Sequence, residues 1–454
     1  MTVSSDIATF EDYLSRFGPS TSKDLALKLD AQKELASFRD DFEIPTVESV
    51  GGTKSITGDI KDKGVYMCSN SLGLMPKSVR KYIEEDLDVW SKEGVFSHGS
   101  NRHGNPWVST EDRIVPMLEK VVGGLPGEVT VMNTLTVNLH LLFASFYLPT
   151  PDRFKILIEK GSFPSDFYAV HSHMKMKGYD PAQGVIEIAP REGEDLIRHE
   201  DIVKLIEDHG HEIALIWLPG VQYYTGQVFR MEEITKLGHE KGCVVGFDFA
   251  HAAGNIPLKL HDWDIDFAVW CHYKYMCSCG GAPGGAFVHN RFARDFERNR
   301  LTGWWAHKLS TRFVMDNKLD LCEGIDGFRV SNQPTLALTG VRASIEVFNK
   351  TSMEALRARS LVLTGYLEYL LKNMDVTSKK VKIITSENTD ERGSQLSICF
   401  PGNNLDDIFN HMKEYGVVTD LRRPRVMRVA PAALYSTFED VWNFVEILNK
   451  FEFK

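Results

Sequence analysis

Residues 266–285 read Asp266-Phe-Ala-Val-Trp-Cys-His-Tyr-Lys274-Tyr-Met-Cys-Ser-Cys-Gly-Gly-Ala-Pro-Gly-Gly285. An apolar run ends in a lysine set between two tyrosines, and a glycine-rich turn follows. An ammonium is expensive to bury. Lys274 therefore either carries its charge to water along its alkyl stem, or serves as a nucleophile whose amine partial desolvation keeps reactive. A second run, Val244-Val-Gly-Phe-Asp248-Phe-Ala-His251, ends in an acid. Taken singly, Asp248 could cap the following turn, and His251 could be a core histidine with its hydrogen bonds satisfied. A strand ending in Asp and, 26 residues on, a strand ending in Lys form a far more specific pair.

From about residue 128 to 290, short β-rich runs alternate with helical stretches. The candidate strands are Val129–Met132, Phe154–Ile158, Val185–Ala189, Ile213–Leu218, Val244–Asp248, Phe267–Cys271 and Gly285–His289, with helices at Val137–Phe146, Ile202–Asp208 and Met231–Glu240. Apolar strands without alternation, joined by helical crossovers, predict a mostly parallel sheet covered on both faces. Such sheets bind ligands beyond the carboxyl ends of their strands, where Asp248 and Lys274 fall. After about residue 335 a different module begins, with long helices (Pro334–Val347, Met353–Leu371) and strands at Val381–Thr385, Gln395–Phe400, Val417–Thr419 and Val426–Val429. Helices at Leu405–Tyr415 and Phe438–Phe451 complete a small α+β domain. Before the sheet, Ala31, Leu35, Phe38 and Phe42 share one helical face, and Val79, Ile83, Leu87 and Trp90 repeat the pattern after Pro76. Both stripes are expected to make core. Another helix should end at Gly123-Gly124. The expected division is an N-terminal helical segment (1–60), a large α/β domain (61–334) and a small C-terminal α+β domain (335–454).

A chain of 454 residues accommodates this plan of two or three parts. With 43% apolar and 25% charged residues there is ample surface to bury, which excludes disorder and low-complexity arrays. No apolar run approaches the roughly 18 residues of a membrane span. Residues Met1–Ser20 lack a basic-then-apolar leader and carry Asp6, Glu11 and Asp12. The net charge of −10 disfavours nucleic acid or an anionic membrane as partner. Seven cysteines, an odd number scattered along the chain, suit a reducing compartment, so a soluble cytoplasmic protein is expected. Cys271, His272, Cys277 and Cys279 lie close together, but a zinc site would need a second pair of ligands, and no metal is expected.

The chemistry follows from the strand ends. An acid such as Asp248 can keep a pyridinium nitrogen protonated while a lysine such as Lys274 forms a Schiff base, the pairing that pyridoxal 5'-phosphate (PLP) requires to act as an electron sink. The phosphate needs an anion site, and Val129–Met132 runs through Asn133-Thr-Leu-Thr136 into a helix whose N-terminal N–H groups and Thr136 hydroxyl would serve; alone, this is an ordinary N-cap. Gly161-Ser-Phe-Pro-Ser-Asp166 offers Phe163 to stack on a planar ring, or else a core aromatic.

From about residue 60 to 450 the chain resembles the kynureninase family, fold-type-I PLP enzymes of the aspartate aminotransferase superfamily. Several separate motifs carry the resemblance: Met132-Asn-Thr-Leu-Thr-Val-Asn138, Phe163-Pro-Ser-Asp166, Tyr223-Tyr-Thr-Gly-Gln227, Gly246-Phe-Asp-Phe-Ala-His251, His272-Tyr-Lys-Tyr275, Gly303-Trp304, Leu309-Ser-Thr-Arg-Phe313, Val330-Ser-Asn332 and Met427-Arg-Val-Ala-Pro431. It implies a large domain with a mostly parallel seven-stranded sheet plus a small α+β domain. It implies hydrolysis of L-kynurenine or 3-hydroxy-L-kynurenine to anthranilate or 3-hydroxyanthranilate and L-alanine, a step of tryptophan degradation towards NAD. By motif, Lys274 would be the Schiff-base lysine, Asp248 the partner of the ring nitrogen with His251 beside it, and Phe163 the stacking ring. Leu135 and Thr136 would hold the phosphate, and Tyr224 and Tyr273 would reach it or the reaction centre, Tyr273 as a proton shuttle. Pro164, Ser165 and Asp166 would line the ring pocket. Trp304 and Asn332 would come from the partner of a homodimer, Asn332 touching substrate as well. Arg428 would clamp the α-carboxylate, and His98 and His307 would face the substrate's aromatic ring. Two departures are visible. Pro219 stands where some members have a Ser on the cofactor, so that contact is not carried over. The segment from Phe96 to Trp107 is long, which leaves His98 or His103 to face substrate. A cysteine desulfurase or transaminase would share Asp248 and Lys274, although a desulfurase needs a cysteine on a mobile loop. A catalytically silent relative would have lost one of the pair.

Overall fold

The computed structural model describes residues 9–453; residues 1–8, Asp6 among them, and Lys454 lie outside the described residues. By contacts the chain divides into two units, one of residues 78–220 and 229–349, the other of residues up to 77, 221–228 and 350 onward.

The first unit is built on seven strands: β1 (Val129–Met132), β2 (Lys155–Glu159), β3 (Val185–Ile188), β4 (Ile213–Pro219), β5 (Val244–Asp248), β6 (Phe267–Trp270) and β7 (Gly284–Val288). Their order across the sheet is β1-β7-β6-β5-β4-β2-β3. β3, β2, β4, β5 and β6 run parallel, and β7 is antiparallel to both β6 and β1. Every residue of β1, β6 and β7 is buried, as expected of a sheet covered on two faces. Helices α1 (Leu135–Phe146) and α2 (Pro164–Met176) help to cover it. Phe143 and Phe146 of α1 pack on Phe267 and Trp217 of the sheet, with ring centroids 4.8–6.0 Å apart. The fold is thus the α/β arrangement read from the sequence, with strand bounds displaced by a residue or two.

In the second unit, β8 (Lys382–Ile383), β9 (Leu396–Cys399), β10 (Asp420–Arg422) and β11 (Val426–Val429) form an antiparallel sheet in the order β10-β11-β9-β8. Helices Met353–Asn373 and Phe438–Asn449 supply the two largest shares of its core, to which Phe10, Tyr13, Leu25 and Leu29 also belong. Those four come from helices Phe10–Phe17 and Lys23–Asp30, so the N-terminal helices precede the stripe singled out in the sequence.

Two expectations are corrected. Ala31 to Phe42 is not a helix: it holds only single 3₁₀ turns at Lys33–Leu35 and Arg39–Asp41. The reason is local competition. The Asp30 carboxylate accepts the N–H groups of Phe438 and Glu439 at the start of another helix, and Phe42 bridges to Pro76. The second stripe does form a helix, Ser78–Glu93, but only part of it is core: Val79 is buried while Leu87 and Trp90 are 45% and 61% exposed. The helix Val115–Val122 ends at Gly123 in the left-handed region (φ +67°), the conformation for which glycine is suited. Among the described residues no helix is long and apolar enough to cross a membrane.

Candidate active site

β5 delivers Asp248 at its carboxyl end, in register with Pro219 of β4 and Val269 of β6. The side chain is buried and accepts the Ala250 N–H at 2.7 Å, so the chain turns immediately after the strand. That turn carries His251. Beyond β6, a turn brings Lys274 back, its Nζ 3.1 Å from His251 Nε2. Nζ also lies 5.6 Å from the centre of the Phe163 ring and 5.9 Å from that of Tyr273. Phe163 immediately precedes α2, whose first turn, Pro164-Ser165-Asp166, begins with proline where no N–H is required. Phe163 is 40% exposed, so a flat ring face is presented beside the amine.

Asp166 is buried against Asp248, and the two carboxyls share a hydrogen bond. Burial and then the Asp248 charge push the Asp166 carboxyl well above its ordinary range. Burial also raises Asp248, but the Lys274 charge opposes it. Two carboxylates this close cannot both ionise. Asp166 keeps the proton and donates it, and Asp248 is the anion. Tyr273 is half-buried, and that burial holds its hydroxyl protonated well above its ordinary range.

The N-terminus of α1 adjoins this group through β7. A Cβ on Gly284 would stand 2.7 Å from the Trp270 carbonyl oxygen at the end of β6 and 3.1 Å from the Leu135 nitrogen. Only glycine allows that approach, and it sets the first N–H groups of α1, at Leu135 and Thr136, beside the lysine strand. Asn133 turns the chain with φ +45° and donates to the Asn138 side chain at 3.0 Å.

Trp304 and Asn332 lie on two segments that meet. A Cβ on Gly303 would fall 2.0 Å from the Val330 carbonyl oxygen, so the Trp304 segment lies flush on the Val330–Asn332 segment. Trp304 is 47% exposed beside Phe313. His98 is exposed with its ring against Trp107, His103 is exposed, and His307 is held by Thr311 at 3.0 Å; their contacts lie within their own loops. In the second unit, Tyr224 packs against Ile384, Cys399 and Val426. There the buried Arg428 is gripped by Asp420, a residue the sequence reading missed because β10 is three residues long and runs straight into Arg423-Pro424.

His272 is not available to a metal. Its Nδ1 donates to the Pro283 carbonyl at 2.6 Å, its Nε2 accepts from Trp270, and burial lowers it to about 4. Glu128, His261 and His289 also cluster, with ligand atoms within 4.8 Å. The Glu128 carboxylate there accepts the N–H groups of Leu125, Asn290 and His261, which accounts for it as a hydrogen-bonded knot at the far end of the sheet.

An acid at the carboxyl end of one strand and a lysine in the turn beyond its neighbour, on a mostly parallel sheet, define a class, and the fold is that of the fold-type-I PLP-dependent enzymes. A cystine C–S lyase solved with its product cysteine persulfide superposes with a TM-score of 0.71 at 16% identity, over 86% of this chain and 98% of that one. The cysteine desulfurase CsdA of Escherichia coli gives 0.70 at 15% identity, over 91% and 97%. The kynureninases of Rattus norvegicus and Homo sapiens are each 45% identical over 435 residues, 94% of this chain and 93% of theirs. The kynureninase of Myxococcus xanthus is 45% identical over 94% of this chain and 97% of its own. Residues 356–448 match the kynureninase C-terminal domain. The chain belongs to the kynureninase family.

Proposed function

We propose that this protein is a PLP-dependent hydrolase that cleaves the Cβ–Cγ bond of L-kynurenine or 3-hydroxy-L-kynurenine, giving L-alanine and an anthranilate. The observation that carries the reading is the arrangement around Lys274: an amine 3.1 Å from His251 and beside an exposed aromatic face, whose charge acts on an ionised acid backed by a protonated one. This set fits PLP, with Asp248 for the ring nitrogen, Phe163 for the ring face, and the α1 N-terminus at Leu135 and Thr136, opened by Gly284, for the phosphate. When bound, the cofactor supplies an electron sink for charge developing at the substrate's Cα and Cβ. The remaining work belongs to the chain. Lys274 moves the proton at Cα, with His251 fixing its amine. Asp248 holds the ring nitrogen's proton, and Asp166, donating to Asp248, orients it. Tyr273, kept protonated, moves a proton at the γ-carbonyl as water attacks. Arg428 binds the α-carboxylate, Tyr224 belongs to the phosphate contacts, and His98 and His307 are assigned to the substrate's aromatic ring. We assign the protein to the cytoplasm, supported by seven free cysteines, and to a homodimer in which Trp304 and Asn332 complete the partner's site.

The test is incubation of the purified protein and PLP with each kynurenine, following the fluorescence of the anthranilate product. Turnover of either supports the reading; turnover of cysteine or another amino acid in place of both overturns it.

A further inference from the structure

Asp420 of β10 stands in register opposite Arg428 of β11, the residue assigned above to the substrate carboxylate. Arg428 Nε donates to Asp420 Oδ1 at 2.7 Å, and Nη2 donates to Oδ2. Nη1 donates to the Tyr223 carbonyl at 2.8 Å. A second guanidinium, that of Arg422, lies 3.3 Å from the same Oδ2. The Arg428 side chain is 1% exposed and that of Asp420 16%, so the grip is largely shielded from water. A guanidinium has five N–H groups in a rigid plane. Three are spent here, and one remains on each of Nη1 and Nη2, a pair spaced to meet both oxygens of a second carboxylate. Two arginines against one aspartate also leave one net positive charge to be matched.

We propose that Asp420 is a positioning residue: by occupying the Nε–Nη2 edge of Arg428 it turns the Nη1–Nη2 edge toward the α-carboxylate of the substrate, and so sets the preference for amino acids over the corresponding amines. The proposal rests on the assignment of Arg428 to that carboxylate. It opposes the outcome of charge counting, because removing the Asp420 charge would by Coulomb attraction alone strengthen the binding of an anion.

The experiment uses the cofactor-loaded protein and two ligands, L-kynurenine and the amine that lacks only its α-carboxylate, with binding followed by the cofactor's absorbance. Asp420→Asn should raise the KM for kynurenine about tenfold, the loss of one charge-assisted contact, with a smaller change in kcat. Affinity for the amine should be unchanged, and Asp420→Glu should recover part of the loss. Unchanged or tighter kynurenine binding in Asp420→Asn overturns the proposal. So does equal weakening of both ligands, which marks a merely structural role. An Arg428→Met variant separates the two readings. If it too leaves the preference for kynurenine over the amine intact, the Arg428 assignment falls; if it abolishes that preference while Asp420→Asn does not, only the positioning role falls.

Discussion

At the scale of single residues, the site is governed by which of two adjacent carboxyls keeps a proton. Asp248 is the ionised member because Lys274 faces it, and Asp166 is protonated because it is buried against that charge. Asp248→Asn preserves shape and removes the charge. Loss of a preorganised electrostatic contact of this kind costs about 3 kcal/mol in the transition state, so kcat should fall roughly a hundredfold, with weaker PLP binding. Near-wild-type rates would show that another group serves the ring nitrogen. Asp166 gives a stability prediction whose sign can be worked out. Its folded pKa lies above its unfolded value, so the folded state binds the extra proton; the associated stability is full below the ordinary carboxylate range and is lost as pH rises through the folded pKa. Asp166→Asn carries a permanent N–H donor in the same place and escapes that loss. The melting temperature of the variant relative to wild type should therefore climb as pH is raised from about 4 upward; a difference independent of pH would place the proton elsewhere. The Asp248–Lys274 pair was legible in the sequence because each residue ends an apolar run. The Asp166–Asp248 contact was not, since it joins a helix start to a strand end through tertiary packing that no local pattern records.

At the scale of elements, legibility followed burial. β1, β5 and the helix Met231–Glu240 have the bounds that their apolar runs predict. The stripe from Ala31 to Phe42 misled because its spacing is helical while Asp30 and Phe42 are engaged elsewhere in the unit. β10 was invisible because Asp420-Leu-Arg422 has one apolar residue and owes its pairing to β11. The junction of β6, β7 and α1 is where an element-scale prediction can be made. Gly284→Ala would force a methyl against the Trp270 carbonyl and the Leu135 nitrogen, neither of which is a flexible side-chain end. Overpacking of this kind costs about 1–3 kcal/mol. Because the displaced atoms include the α1 N-terminus, PLP affinity should fall along with the melting temperature. A cofactor titration of Gly284→Ala that matches wild type would separate that N-terminus from the phosphate.

At the scale of the whole molecule, the proposed homodimer can be argued from the exposed apolar side chains around Trp304. Phe313, Val314 and Met315, consecutive in the chain, are 60–71% exposed, and a cluster of exposed apolar side chains is the kind of surface an interface covers. Phe313 touches Trp304, and Gly303 holds the Trp304 segment on the Val330–Asn332 segment, so two residues proposed to close a neighbour's site share that surface. A two-fold dimer would bury the same surface on both copies and place each Trp304–Asn332 group over the other chain's Lys274. Complementation follows. Lys274→Ala chains lack the amine but keep Trp304 and Asn332, whereas a Trp304→Ala, Asn332→Ala double variant keeps the amine. After dissociation and reassociation of equal amounts, half of the dimers are mixed, and each mixed dimer has one site built entirely of native residues. Activity should return to about a quarter of the wild-type value from two nearly inactive parents. If Trp304 and Asn332 instead serve their own chain's lysine, no site in a mixed dimer is whole, and the mixture should show only the sum of its parents, with exchange verified by mass.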